Sequence, residues 1–156
     1  MPNFQFQHVD IYSKMYNRNG KGYKVLLEND FGGPFDLAFL FSVFTHVLPE
    51  DCDFLIGFLR SQLSRSAEIF TSFFLLNDET ELAIEKGKSH RQFAYPYGNA
   101  RIDNADIPEG AVAYYENDVI ERLTRAGFSD IRVHYGKWRG IADAWIWQDI
   151  IVAKIA

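Results

Sequence analysis

The run from Phe35 to His46 constrains the fold more than any other part of this chain. Eight of its twelve residues are apolar, and they follow neither helical nor alternating spacing. Pro34 precedes the run and Pro49 follows it. An uninterrupted apolar run with such boundaries predicts a strand buried on both faces, as in parallel α/β sheets.

Three polar residues, Ser42, Thr45 and His46, close this run. In an open α/β sheet, ligands bind in the crevice beyond the carboxyl ends of the strands. These side chains are therefore candidates for a ligand site. The alternative is that a core strand simply ends here in a polar loop, and the residues alone do not decide between the two.

Composition limits the classes of function. With 156 residues, 47% of them hydrophobic, the chain predicts a single globular domain. The net charge of -5 and the absence of a basic cluster disfavour nucleic acid and favour a small-molecule partner. Cys52 is the single cysteine, which excludes an internal disulfide. The N-terminus shows no secretion signal and no apolar run reaches about 20 residues, so we expect a cytoplasmic protein that does not span a membrane.

A strand, helix and strand follow one another along the first half of the chain. After the central strand, Pro49 opens a helix that runs to about Leu63, and a second apolar strand covers 67–76. This unit predicts a parallel pair of strands with a right-handed crossover. Before this unit, the sequence predicts a strand over 4–9 that ends at Asp10 and a brief extended piece over 25–27. After it, we expect a helix over 79–86, a lid or binding loop over 87–110 and a helix from about Glu116 to Gly127. Two last strands, over 129–135 and 148–155, should form an antiparallel hairpin at a sheet edge.

Taken together, these segments resemble the C-terminal two-thirds of a class I S-adenosylmethionine-dependent methyltransferase. The resemblance implies an α/β fold, a Rossmann-like three-layer αβα sandwich whose mostly parallel sheet ends in an antiparallel hairpin. It covers nearly the whole chain and depends on four segments: Phe35-Asp36-Leu37 leading into Ser42-Val43-Phe44-Thr45-His46, Thr71 to Asp78, Gly136-Lys137-Trp138, and Gln148 to Val152.

The chain departs from this family at the cofactor site. The family's first strand carries a glycine-rich turn, and its second strand ends in an acidic residue that binds ribose; both are absent here. The chain thus matches a single methyltransferase-like domain truncated at its N-terminal side. The resemblance implies that Asp10 and Ile11 face the adenine of S-adenosylmethionine and that Ser42, Val43 and Phe44 lie beside its methionine part. We expect this chain alone to bind the cofactor weakly or not at all.

His46 is the candidate general base for a methyl acceptor that must lose a proton, because imidazole titrates near neutral pH. The alternative is a packed histidine that caps the next helix or bonds to the backbone. Tyr114 and Trp138 are candidates for the acceptor pocket, although large aromatic side chains are more often core. His8, His90 and His134 show no metal-ligand spacing, so we assign no metal.

Two classes of function remain open from the sequence. In the first, the chain belongs to a methyltransferase for a small-molecule acceptor; in the second, it is a non-catalytic methyltransferase-like module that binds a ligand or docks a partner. In both, the resemblance implies that the strand after Pro34 lacks one lateral neighbour, because the family's first strand, which lies beside it, is absent. Either the segment 4–9 pairs with it, which we rank slightly ahead, or a second copy of the chain does, forming a homodimer.

Overall fold

One mixed seven-stranded sheet organises the chain, which the computed structural model describes over residues 4–156. The strands are β1 (Phe35–Leu40), β2 (Leu63–Leu76), β3 (Tyr95–Tyr97), β4 (Ala100–Ile102), β5 (Val112–Tyr115), β6 (Phe128–His134) and β7 (Asp149–Ile155). The α-helices are α1 (Pro49–Ser61), α2 (Asp78–Glu85) and α3 (Glu116–Arg125). Short 3-10 helices cover Tyr23–Glu28, Pro108–Gly110 and Lys137–Arg139.

The long strand β2 is the centre of this sheet. The strand order is β3-β4-β5-β2-β7-β6, and β1 also pairs with β2. Both β1 and β5 run parallel to β2, whereas β7 runs antiparallel to β2 and to β6. The predicted parallel β1-α1-β2 unit and the antiparallel pair at the C-terminal end are therefore confirmed. The architecture is an incomplete Rossmann-like sheet of the methyltransferase type.

Helices α1 and α3 cover one face of the sheet. Pro49 and two carboxylates, Glu50 and Asp51, begin α1, where its first N–H groups have no partner inside the helix. The side chains of Ile69, Phe73 and Ile151 point from β2 and β7 into the main core beneath these helices. A smaller core, built around Trp138 and Phe93, packs against the far end of β2.

Strand β1 is much more exposed than its composition predicts. Phe39 keeps 58% of its surface exposed, and three of the four residues before it in the strand, all but Ala38, are exposed as well. The prediction of a strand buried on both faces is thus wrong, and the strand ends at Leu40 rather than continuing to Val43. The physical reason is that, within residues 4–156, β1 has a strand on one side only and helices over one face only.

The segment 4–22 forms no strand, so the predicted strand over 4–9 is wrong. Phe4 and Phe6 are 78% and 95% exposed, and the segment contains only isolated bridges, one of which joins Ile11 to Lys21. Alternation of apolar residues predicts a strand only where a neighbour can pair with it, and none lies here. This segment therefore does not pair with β1. The extended piece expected over 25–27 is instead part of a 3-10 helix.

The segment 87–110 is partly built into the sheet. Its strands β3 and β4 pair with each other, and β4 pairs with β5, a strand that the sequence pattern did not reveal. Phe93 is fully buried in the smaller core. These contacts attach the segment to the sheet and to the smaller core. That part of it acts as a mobile lid over a crevice stays a prediction.

Candidate functional site

His46 lies in the turn between β1 and α1, half-buried. Its backbone N–H donates to the carbonyl of Val43 at 2.9 Å, which fixes the turn. Its ring Nδ1 lies 2.7 Å from the carbonyl oxygen of Glu109. A carbonyl can only accept a hydrogen bond, so Nδ1 carries a proton and, in the neutral ring, Nε2 keeps its lone pair. This is the arrangement that a general base requires.

A cavity of about 170 Å³ adjoins this histidine. It lies between the loop after Asp10, the start of α1 and the 3-10 helix at Pro108–Gly110. Glu109 closes it from the side, and its Oε2 accepts from Ser13 Oγ at 2.6 Å. The lining residues are Tyr12, Ser13, Gly22, Tyr23, His46, Leu48, Glu50, Asp51 and Glu109.

Three carboxylates give this cavity a negative potential. Burial, with the charges of Glu50 and Glu109, raises the pKa of Asp51 above its ordinary value. Burial, with the charges of Asp51 and Glu109, raises the pKa of Tyr23 to about 12, so its hydroxyl stays protonated. The cavity therefore favours a neutral or cationic group and disfavours an anion. Sequence reasoning missed these residues because Glu109 lies 63 positions from His46 and no local spacing links them.

Ser42 has a left-handed backbone with φ of 55° at the end of β1. Its N–H donates to Ser72 Oγ at 2.7 Å, Ser72 Oγ donates to Gln148 Oε1 at 2.6 Å, and Gln148 Nε2 donates to Ser42 Oγ at 2.9 Å. A non-glycine residue in this region is unusual and often marks a functional site. The closed network explains how the turn is held.

The other residues proposed for the cofactor differ in burial and in the contacts that they make. Phe44 is buried and stacks on Phe73 with ring centroids 4.7 Å apart, while Val43 is exposed. Asp10 and Ile11 lie in the N-terminal loop, where Asn17 Nδ2 donates to Asp10 Oδ1 at 2.8 Å and to the Ile11 carbonyl at 3.0 Å. The cavity at His46 is lined by the residues that follow Ile11, but by none of the five residues proposed for the cofactor.

Tyr114 and Trp138, the candidates for the acceptor pocket, are both fully buried. The Tyr114 hydroxyl donates to the carbonyl of Val47 at 2.7 Å. Trp138 Nε1 donates to Asp149 Oδ2 at 2.8 Å, and its ring packs on Phe74. Contact of either side chain with an acceptor therefore stays a prediction that requires the surrounding core to open.

Asp149 is a buried carboxylate that the sequence analysis did not single out. Besides Trp138, the backbone N–H groups of Leu75 and Gly136 each donate to it at 2.8 Å. Burial raises its pKa to about 6, although these three hydrogen bonds act in the opposite direction. In the sequence, this residue could be noticed only as a single acidic residue at the start of the run 149–153, which is otherwise apolar. Through its three hydrogen bonds, Asp149 connects β2, β7 and the turn after β6.

Across residues 4–156, no group of three or more His, Cys, Asp or Glu side chains is arranged to hold a metal ion. No helix in this part of the chain combines the length and the apolar character needed to cross a membrane.

Two solved structures with a similar fold are methyltransferases. A candidate O-methyltransferase from Nostoc punctiforme superposes with a TM-score of 0.52 at 17% identity, over 83% of this chain and 34% of that one. The 1,6-didemethyltoxoflavin-N1-methyltransferase of Burkholderia thailandensis, solved with 1,6-didemethyltoxoflavin and S-adenosylhomocysteine, gives 0.51 at 16% identity, over 84% and 48%.

No protein-family profile matches the sequence. The chain spans between about a third and a half of the length of the two structures described above. At these identities the similarity concerns the fold. Its strand order and the superpositions show that the chain has an incomplete class I S-adenosylmethionine-dependent methyltransferase fold.

Proposed function

We propose that this chain forms the acceptor-side part of a methyltransferase for a small molecule, with His46 as general base. The observation that carries the proposal is the Nδ1 hydrogen bond to the Glu109 carbonyl beside a cavity. It holds the imidazole in the tautomer whose Nε2 can take a proton. Methyl transfer from a sulfonium needs mainly alignment of the acceptor and exclusion of water, and a base where the acceptor is protonated.

S-Adenosylmethionine is the methyl donor that this proposal implies. The residues present do not form a complete site for it. The cavity at His46, about 170 Å³, is smaller than the roughly 300 Å³ or more typical of sites for ligands of that size. Asp10 and Ser42 both lie outside it, and Asp10 already accepts a hydrogen bond from Asn17. This chain therefore contributes only acceptor binding and removal of the acceptor's proton.

The cavity also limits the acceptor class. Its carboxylates, Glu50, Asp51 and Glu109, favour an acceptor that is neutral or carries a cationic nitrogen. Tyr23 adds an aromatic wall with a protonated hydroxyl that can donate a hydrogen bond. A small phenol or amine fits this chemistry, and proton transfer to Nε2 would prepare its oxygen or nitrogen for alkylation.

The tautomer of His46 tests this assignment on the isolated chain. We expect nitrogen-15 NMR near pH 8 to show His46 as the Nδ1–H tautomer, because the Glu109 carbonyl requires a donor. Exposed His134 is the internal reference, since no hydrogen bond of this kind fixes its ring in the structure. An Nε2–H tautomer at His46 would rule out the proposed base.

His46→Ala tests the catalytic role in a cofactor-competent form, such as a longer polypeptide that contains this chain. We expect turnover to fall by about 10²- to 10⁴-fold while cofactor affinity changes little, as for loss of a general base. His134→Ala, an exposed histidine on β6, is the matched control. Unchanged turnover in His46→Ala would return this residue to a structural role.

A second candidate function is a non-catalytic module that binds a ligand or docks a partner. Asp10, Ser42, Val43 and Phe44 do not line the cavity at His46, which favours this function, because a binding module does not need a cofactor site. The two functions differ in one respect that can be measured. Only the first predicts that His46 affects turnover in the longer polypeptide.

A further inference from the structure

The free side of β1 and the sheet face beside it form an uncovered apolar surface. Within residues 4–156, β1 pairs with β2 alone, so half of its backbone N–H and C=O groups face outward. Phe39 lies opposite Phe70 of β2 in register, with ring centroids 5.3 Å apart on this face. Phe41 stacks on Phe39 at 6.0 Å. We call this region the β1 surface; it consists of Phe35, Leu37, Phe39, Phe41, Val43 and Phe70.

The β1 surface lacks the features that normally protect an edge strand. Such strands carry lysines, prolines or bulges that prevent another strand from pairing. Here the irregularity lies between Phe35 and Leu37, and Pro34 precedes the strand, so both protect only its beginning. The regular part, Ala38 to Leu40, has no charged residue. A free, apolar strand of this kind pairs readily with another strand.

The charges around the β1 surface are balanced. Glu68, next to Phe70 on the same face, lies 3.1 Å from Arg132 and 3.9 Å from Lys154. Lys154 also approaches Asp130 at 3.5 Å. A mixed border of this kind neither attracts a polyanion nor repels an identical surface. It therefore fits a second copy better than nucleic acid or an anionic membrane.

The exposed area is large enough for a small specific interface. Phe35, Phe39 and Phe41 are 41%, 58% and 54% exposed. With about 200 Å² for each phenylalanine, these rings, together with Leu37 and Val43, expose on the order of 400 Å² per copy. Two copies would bury roughly 800 Å² of apolar side chain, and the strand backbones bring the total near the roughly 1,000 Å² that a specific interface requires.

We propose that a second copy of this chain docks on the β1 surface, with the two β1 strands antiparallel across a two-fold axis. This arrangement pairs both free strands at once and places the same apolar side chains of the two copies side by side. Within residues 4–156, no strand pairs with the outer side of β1. The interface is independent of the proposed function, since His46 does not belong to it.

Sedimentation velocity of the chain from about 2 to about 200 µM tests the proposal by mass action. We expect a weak monomer–dimer equilibrium within this concentration range, because the interface is at the small end for a specific contact. The dimer should strengthen from low salt to about 150 mM salt, because each copy carries a net charge of -5. A monomer across the whole range would overturn the proposal, and this outcome needs no variant.

Phe39→Lys locates the contact, because the two-fold axis brings like charges together in the interface. We expect this variant to stay monomeric at about 200 µM, with circular dichroism showing that it is folded. Tyr95→Lys changes an exposed aromatic residue on the edge strand β3, and this variant should still form dimers. If Phe39→Lys formed dimers with the same dissociation constant as the wild type, the interface would lie elsewhere and the proposal would be contradicted. Hydrogen exchange of the wild type provides a second test without any substitution. The β1 amides should exchange more slowly at high protein concentration than at low concentration.

Discussion

Asp149→Ala should lower the free energy of unfolding by about 3 kcal/mol or more. The substitution leaves three buried donors without a partner: Trp138 Nε1 and the backbone N–H groups of Leu75 and Gly136. Each buried unsatisfied donor costs about 1 to 3 kcal/mol. A domain of this size has a total stability of about 5 to 15 kcal/mol, so the loss should be evident in urea unfolding.

Asp143→Ala is the matched control, since Asp143 is an exposed aspartate in the connection that leads to Asp149. It should change stability by less than about 0.5 kcal/mol. If Asp149→Ala unfolded at the same urea concentration as this control, the three hydrogen bonds would not hold β2, β7 and the intervening turn together.

The effect of Asp149 should also depend on pH in a defined direction. Burial raises its pKa from 3.8 to about 6, so the folded state binds the proton more tightly than the unfolded state does. A pKa raised on folding stabilises the protein fully below the unfolded value, and this contribution decreases as pH rises through the folded value. The difference in free energy of unfolding between wild type and Asp149→Ala should therefore become smaller as the pH rises from about 4 to about 6.5. A difference that widened over this range would contradict the raised pKa.

Gly136→Ala should lower the free energy of unfolding by about 3 kcal/mol, the second large effect. A Cβ at this position would overlap the carbonyl oxygen of Trp147 and lie 2.5 Å from the carbonyl carbon of Gln148. Both are backbone atoms, so the turn itself must move. That movement would also weaken the bond from the Gly136 N–H to Asp149.

Gly57→Ala provides a control of opposite sign. Gly57 lies inside α1, and a Cβ there would meet no atom within 4 Å. Alanine is a better helix former than glycine by about 1 kcal/mol, so this variant should be more stable than the wild type. Thermal unfolding of both variants measures the contrast. Equal shifts in the same direction would show that the close contact at Gly136 does not determine the structure of the turn.

The sequence predicted the elements whose signal is local. The apolar spacing of α1, the β-branched and aromatic run of β2 and the stop at Gly127 after α3 all appear in the structure near their expected bounds. The antiparallel pairing of β6 with β7 was predicted as well. Each of these signals comes from a stretch of about ten residues that packs on the main core.

The sequence could not predict features that depend on what lies beside an element. The run 35–46 has the composition of a buried strand, but burial depends on neighbours, and β1 has only one strand beside it within residues 4–156. The alternation over 4–9 lacked a partner strand for the same reason. β5 is only four residues long and is recognisable mainly through its pairing with β2 and β4.

The candidate site shows the same limit. His46 was identified from its position after an apolar run, yet its tautomer depends on the carbonyl of Glu109, which only the fold brings near. Asp149 was missed because a single carboxylate before an apolar strand has no motif of its own. Tyr114 and Trp138 were proposed from residue type, and the structure places both in the core.

Calorimetric titration of this chain with S-adenosylmethionine, and with S-adenosylhomocysteine as a stable analogue, tests the central claim most directly. We propose that the chain contributes the acceptor-side part of a methyltransferase fold and lacks a complete cofactor site, because Asp10 and Ser42 do not share the cavity at His46. We therefore predict no saturable heat up to millimolar ligand. Saturable binding with a micromolar dissociation constant would contradict it.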